Sequence, residues 1–442
     1  MQELQLLETL HKLVLSGHTP CTDSRKATKN SLFFALKGDH FNGNEFAVKA
    51  LENGCSLAIV DEPVAHPSRK IIRVANALET LQQLGLYHRQ QFRIPVIGLT
   101  GSNGKTTTKE LTYCVLSEKY QTLATVGNLN NHIGVPLTLL GLQPKHQIAI
   151  IEMGANHVGE IALLSRLSQP GYGLITNIGK AHLEGFGSLA NILKGKTELY
   201  DHIGLSNGIL FVNGDNPKLI DPSAKIPHVL YGTRKGFHVV ARLIHERPYL
   251  KIGFTVEKEF GQAQKEAETI CESQLVGLYN FENIVSALTI GLYFGVSPTA
   301  AARAIASYRP ENNRSQVVNN GRNTILLDAY NANPTSMAAA LGNFSGFGQK
   351  PRAALLGDML ELGDTSLEEH QIIADYAKKL DFEVTLLVGR EFSKIKIPDN
   401  RFQIFADVEQ ARQWLINNPL EGYHILLKGS RGIQMEKTLD AL

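Results

Sequence analysis

Short apolar runs rich in β-branched residues recur along the chain, separated by stretches of helical periodicity. Residues 95–100, PVIGLT, predict a strand buried on both faces. Residues 101–104 follow as a small-residue loop, and from Lys105 the apolar positions repeat at helical spacing. Similar runs return at 147–153 (QIAIIEM), 173–178 (GLITNI) and 208–213 (GILFVN), and beyond residue 310 at NTILLD, AALLG, VTLLVG and HILLKG. Strands alternating with helices predict an α/β protein built on parallel, doubly wound sheets. Nearer the N-terminus, the segment from Ser31 to Gly38 alternates like a half-exposed strand closing in a Gly turn, 46–53 is helical and 57–60 is a further strand. Residues 236–276 read as mostly β and predict a small antiparallel insertion. An Ala-rich helix ends near Phe294, a second follows Pro298, and Lys196 lies in a helical stretch as a solvent-facing lysine.

The length, 442 residues, is too great for one core and predicts about three units. Pro310 marks one boundary, giving a small α/β unit over 1–92, a central nucleotide-binding unit over 93–309 and a C-terminal doubly wound unit over 310–442. The net charge of +2 makes no electrostatic case for nucleic acid or a membrane surface, so any acidic ligand has to be held by local groups. Cys21, Cys55, Cys114 and Cys271 are far apart and read as free thiols of a reducing compartment. The first residues lack the basic start and apolar core of a signal peptide, and no run reaches the ~20 residues needed to span a bilayer. A cytoplasmic monomer is the expectation.

The chemistry concentrates at the ends of the apolar runs. A strand, the loop Gly101-Ser102-Asn103-Gly104 and a helix opening at Lys105-Thr106-Thr107 make an anion site, because unpaired N–H groups and the helix dipole both favour phosphate. Leu99 stands where the strict Walker pattern has its first Gly, so the loop is a shortened variant, with Lys105 reaching outer phosphates and the Thr106 hydroxyl placed for Mg²⁺. Glu152 ends the next strand, where a carboxylate beside a phosphate loop suits a magnesium ion. His182 falls just past a third strand, where a neutral imidazole serves equally as a structural group or a metal ligand. Asn128 and Asn131 belong to an Asn- and Gly-rich loop read either as ligand-facing or as a surface turn. Ser24, Arg25, Lys37 and Gly38 suit a pyrophosphate, although Asp-Ser-Arg is also an ordinary turn. Asp328, Asp358 and Lys428 sit at strand C-termini and suggest a second ligand-facing rim.

In order and spacing, Thr100-Gly101-Ser102-Asn103-Gly104-Lys105-Thr106, Glu152-Met153-Gly154-Ala155, Thr176-Asn177-Ile178-Gly179 with His182, and Asn280 with Asn283 resemble the Mur ligases, ATP-dependent amide-forming enzymes of peptidoglycan synthesis. The resemblance covers nearly the whole chain. It implies that Ser24, Arg25, Lys37 and Gly38 hold the UDP end of a UDP-N-acetylmuramoyl-tripeptide. It implies ATP on the 101–107 loop, with Asn280 at the adenine, Arg314 near the nucleotide and Asp328 at the ribose. Tyr279 takes the place of a usual His beside Asn280. Thr106 and Glu152 would hold one Mg²⁺, and His182 with a carbamate on Lys196 a second. Asn331, Asn333 and the Asp358 loop become candidates to meet D-alanyl-D-alanine. Since loop and rim fall in separate units, closure is expected to complete the site. Rival readings are another Mur or folylpolyglutamate-type ligase, a phosphate-loop switch or kinase, and a catalytically inactive homologue.

Overall fold

A computed structural model describes residues 2–38, 40–64, 68–311 and 313–442. Three sheets carry the fold: one of four strands, one of nine and one of six, with a small two-stranded ribbon beside the first. The four-stranded sheet is parallel throughout. Its strand Ser31–Phe34 is buried at every position instead of alternating, because it lies between two parallel neighbours with helices against the sheet. In the adjoining loop Gly43 is obligatory, since a Cβ there would lie 2.3 Å from the Leu36 carbonyl oxygen.

The nine-stranded sheet contains the 95–100 run as its strand Val96–Thr100, paired in parallel with Ile148–Glu152 on one side and Tyr172–Ile175 on the other. All five residues of Val96–Thr100 are buried, as a strand covered by helices on both faces requires. The third run stops at Ile175, and Thr176 to Ile178 form a loop whose polar groups wrap the phosphate loop. The segment expected as an antiparallel insertion is continuous with this sheet. Val239–His245, Lys251–Val256 and Glu266–Glu272 extend its far edge, the first pairing in parallel with His228–Gly232 and the rest antiparallel. The helices Lys105–Ser117 and Asn280–Tyr293 pack together on one face, around Leu111, Val115, Ile284 and Leu288.

The six-stranded sheet holds the four expected strands and two more, Gln316–Asn319 and Phe402–Phe405, one at each edge. Both are short and half-exposed, so they lack the continuous apolar signal of the buried strands. Among the described residues no helix is long and apolar enough to cross a membrane.

Where the first unit meets the second, His88 is fully buried. Its Nε2 lies 3.0 Å from the Leu142 carbonyl oxygen, which only accepts, so Nε2 carries the hydrogen. Nδ1 then accepts from His11 Nδ1 at 3.0 Å. Burial drives the His88 pKa down to about 4 from 6.5. A histidine that resists protonation in the folded state leaves the unfolded chain binding more protons, so stability is complete above pH 6.5 and falls as the pH drops towards 4. The expected loss from this group is roughly 3 kcal/mol. Urea midpoints measured between pH 7.5 and 4.5 should show it, and His88→Gln, which keeps both hydrogen-bonding roles, should flatten that slope.

Candidate active site

The phosphate loop is held from beneath by the neighbouring strand end. Asn177 accepts from the Ser102 N–H through its carbonyl at 2.9 Å and from the Asn103 N–H through Oδ1 at 3.0 Å. Thr176 Oγ1 donates to the Asn103 carbonyl at 2.6 Å. Two loop amides are thus already used, and the donors left for an anion are those of the first turn of Lys105–Ser117. Gly104 enters that helix at φ +78°, and a Cβ there would lie 2.4 Å from Asn283 Oδ1. Asn283 is itself fixed, accepting from Thr108 Oγ1 at 3.0 Å and donating to Asn280 Oδ1 at 2.8 Å. Lys105 folds back onto its own loop, donating to the Gly101 and Ser102 carbonyls at 2.8 and 3.2 Å. Burial lowers its pKa, and Arg314 adds to that while Glu152 opposes it.

Glu152 is 1 % exposed at the end of its strand. Its Oε1 accepts from Thr106 Oγ1 at 3.2 Å and from Asn130 Nδ2 at 2.8 Å, while Oε2 is buried with no hydrogen-bond partner. The backbone beneath is pinned as well: Glu152 N–H donates to Thr125 Oγ1 at 3.0 Å, and the buried Lys109 ammonium holds the Thr125 carbonyl at 2.6 Å. A carboxylate oxygen left bare beside a threonine hydroxyl and a phosphate loop is the donor set that a hard cation such as Mg²⁺ takes. Among the described residues no three His, Cys, Asp or Glu side chains gather as a ready-made metal cluster.

Lys196 is 1 % exposed, which overturns its reading as a solvent-facing lysine. The helix Leu189–Leu205 turns this position inward, where Nζ donates to the Ala155 carbonyl at 3.2 Å and lies 5.3 Å from the Phe186 ring centroid. Burial first, and the Lys105 charge second, hold its pKa well below the usual amine range.

One cavity of 820 Å³ brings the phosphate loop and Glu152 together, while Gly101 and Lys196 lie outside its lining. Ser102, Asn103, Gly104, Lys105, Thr106, Thr107, Glu152, Asn128, Asn131 and His182 line it from the nine-stranded unit, with Tyr279, Asn280 and Asn283. Arg314, Asp328, Tyr330, Asn331, Lys428 and Arg431 line it from the six-stranded unit. The two units are therefore already apposed in this structure. Lys180 meets Glu369 at 2.5 Å, His182 pairs with Glu361, and Asn333 Nδ2 donates to Asn103 Oδ1 at 2.7 Å. The rim is tied together by Lys428, which donates to Asp328 Oδ2 at 2.5 Å. Tyr279 meets Ser315 Oγ at 2.8 Å, and burial pushes its phenol pKa up.

Other expected site residues lie elsewhere. Asp358 is buried and turned away from the cavity; its carboxylate accepts from the Glu391 and Phe392 N–H groups at 2.9 Å each and faces His370. Its place at a strand C-terminus is explained by this structural role. Asn333 caps the helix Pro334–Phe344 and braces the phosphate loop without lining the cavity. Ser24, Arg25, Lys37 and Gly38 lie in the first unit outside it, where Arg25 pairs with Asp23, and Lys37 with Asp61 and Glu62. Asn130, Glu361, Tyr330 and Arg431 also line the cavity, though the sequence gives none of them a role of its own. Asn130 sits inside the Asn-rich loop and Arg431 closes the last strand's Lys-Gly-Ser-Arg turn, so both stand next to signals that were read.

A shortened phosphate loop, a strand-end carboxylate and a cavity lined from two sheets define a phosphate-loop nucleotide-binding protein. Its sequence matches the models of the Mur ligase middle domain over residues 99–291 and of the Mur ligase glutamate ligase domain over 313–431. The chain belongs to the Mur ligase family, and is an ATP-dependent ligase. It is 33 % identical to the UDP-N-acetylmuramoyl-tripeptide–D-alanyl-D-alanine ligase of Bacillus subtilis over 437 residues, 96 % of this chain and 93 % of that protein. Among solved structures it resembles MurF from Acinetobacter baumannii, with a TM-score of 0.86 and 31 % identity over 97 % of both chains. It also resembles MurF ligase from Thermotoga maritima in complex with ADP, with a TM-score of 0.83 and 26 % identity over 97 % of both chains.

Gly104→Ala tests the loop geometry. The left-handed backbone costs a non-glycine residue about 1–2 kcal/mol, and the added methyl displaces Asn283. Nucleotide affinity, read by equilibrium titration with ADP, should fall about tenfold or more while the far-ultraviolet spectrum is unchanged.

Proposed function

We propose that this chain joins D-alanyl-D-alanine to the terminal carboxylate of UDP-N-acetylmuramoyl-tripeptide at the expense of ATP, in the cytoplasm. The observation that carries the reading is the single cavity shared by the phosphate loop, Glu152 and the Asp328–Lys428 rim, which gives a nucleotide and a second substrate a common, enclosed space. Three units divide the work: 1–92 for the UDP end, 93–309 for ATP and 310–442 for the incoming amine and closure over the nucleotide.

A carboxylate is a poor electrophile. In the proposed route one of its oxygens attacks the γ-phosphorus of ATP and ADP leaves, giving an acyl phosphate. The dipeptide amine, having lost its extra proton, then attacks the carbonyl carbon; the C–N bond forms and phosphate departs with the C–O electron pair. The protein's part is positioning and charge neutralisation. Lys105 leaves its loop carbonyls for the outer phosphates, and the helix-turn amides hold them. Asn280 meets the base, Arg314 and Asp328 the rest of the nucleotide. Thr106 and Glu152 fit one Mg²⁺, since Glu152 keeps an unpartnered oxygen. Magnesium bound there supplies counter-charge to the phosphates.

A second magnesium between His182 and Lys196 requires Lys196 to become an anion. Its depressed pKa supports that, because only a neutral amine adds carbon dioxide to form a carbamate.

Phosphate release should require ATP, the UDP-linked tripeptide and the dipeptide together, each omitted in turn. Release without the dipeptide would point to a phosphate-loop switch or kinase instead. Lys105→Ala should abolish turnover with the fold intact. Lys196→Ala should lose most activity and recover part of it with a short-chain carboxylic acid; no recovery would count against the carbamate.

A further inference from the structure

The turn over residues 179–184 lies between the nine-stranded and six-stranded units and is held from both sides. From the phosphate loop, the Ser102 hydroxyl accepts from the Gly179 N–H and donates to the Gly179 carbonyl, each at 3.0 Å. From the six-stranded unit, Thr335 Oγ1 accepts from the Lys180 N–H at 3.1 Å, and the Glu361 carbonyl accepts from the Glu184 N–H at 3.0 Å. The side chains of His182 and Glu361 also meet, through Nδ1 and Oε2. Both residues have left-handed backbones, at φ +54° and +64°. Non-glycine residues rarely take up that conformation, and it persists where the surroundings over-determine it. Here two such residues, one from each unit, are fixed against one another.

A carboxylate only accepts, so in the neutral ring the His182 nitrogen facing Glu361 carries the hydrogen. Nε2 then keeps the lone pair, and it makes no hydrogen bond with another described residue. An imidazole binds a cation through such a lone pair, and the partner of its other nitrogen decides which tautomer is present. We propose that Glu361 is a positioning residue for His182, reaching across from the opposite unit to fix the Nδ1–H tautomer and leave Nε2 for a divalent cation. This rests on the ligase reading above, in which His182 belongs to the second magnesium site. The two side chains are 19 and 49 % exposed, so the pair adds little stability and acts through orientation. Because Glu361 follows the strand Arg352–Gly357 of the six-stranded unit, the imidazole is set in this form only where the two units are apposed.

The test begins with the full chain free of metal and nucleotide, labelled with ¹⁵N-histidine. Its spectrum should contain an Nδ1–H imidazole that disappears in His182→Gln. Glu361→Gly removes the carboxylate and suits the left-handed backbone, so the fold should survive, read by an unchanged melting temperature. In that variant the His182 ring should shift towards the Nε2–H form, whereas Glu361→Gln, whose amide oxygen still accepts, should retain Nδ1–H. In phosphate release with all three substrates, Glu361→Gly should lower kcat about tenfold to a hundredfold with the KM for ATP moving less than about threefold, and Glu361→Gln should recover part of the loss. A His182 ring that stays Nδ1–H in Glu361→Gly overturns the proposal, and so does an unchanged kcat. A defect confined to the KM for ATP also overturns it, since Glu361 would then serve nucleotide binding. If wild-type enzyme forms no pentapeptide product, the ligase reading fails, while the tautomer in the metal-free protein still decides whether Glu361 sets His182.

Discussion

The parallel register between Val96–Thr100 and Ile148–Glu152 is the constraint on which the site rests. It pairs Leu99 with Glu152, so the carboxylate emerges where the phosphate loop begins. Thr100 Oγ1 locks the two strand ends by donating to the Met153 carbonyl at 2.7 Å. A slip of one residue would turn Glu152 to the opposite face of the sheet. The register also explains an apparent defect. Leaving a buried carboxylate oxygen unpaired costs at least about 1–3 kcal/mol, and such departures from good packing collect at functional sites.

Around that point the chain keeps more cation than it neutralises. Lys105 is repelled by Arg314 and itself repels Lys196, and burial already lowers both lysines. An arrangement that disfavours its own charge gains when a polyanion enters, so part of the binding energy for a nucleotide is stored in the site beforehand. Lys109 plays the opposite part: fully committed to Thr125 and Glu110, it stiffens the loop behind Glu152.

The six-stranded unit meets the nine-stranded unit through polar contacts: Lys180 with Glu369, His182 with Glu361, and Asn333 with Asn103 of the phosphate loop. Partly exposed ion pairs contribute only about 0–1 kcal/mol each, so these two pairs add little to holding the units together. The first unit is joined differently, through packing of its core against Leu137 and Leu140 and the hydrogen bond from His88 to the Leu142 carbonyl.

The sequence by itself determined the buried strands, the phosphate loop and the position of Glu152, because each is a local pattern: an apolar run, a Gly-rich turn, a charge at a strand end. It also carried the family, through motifs spread over the whole chain. Periodicity alone put Lys196 in solvent and left the strand at Ser31 half-exposed, where both are buried; it did not show that Asp358 accepts from backbone amides, and it gave Asn130 and Arg431 no role. Whether a polar side chain faces solvent, caps a neighbouring helix or lines a cavity depends on which distant segment packs against it. A lysine on a helix reads the same from either face until Ala155 and Phe186 close over it. Arg314 and Arg431 lie more than a hundred residues apart in sequence, and they reach one cavity because Gln316–Asn319, Thr324–Asp328 and His424–Lys428 lie side by side in the last sheet.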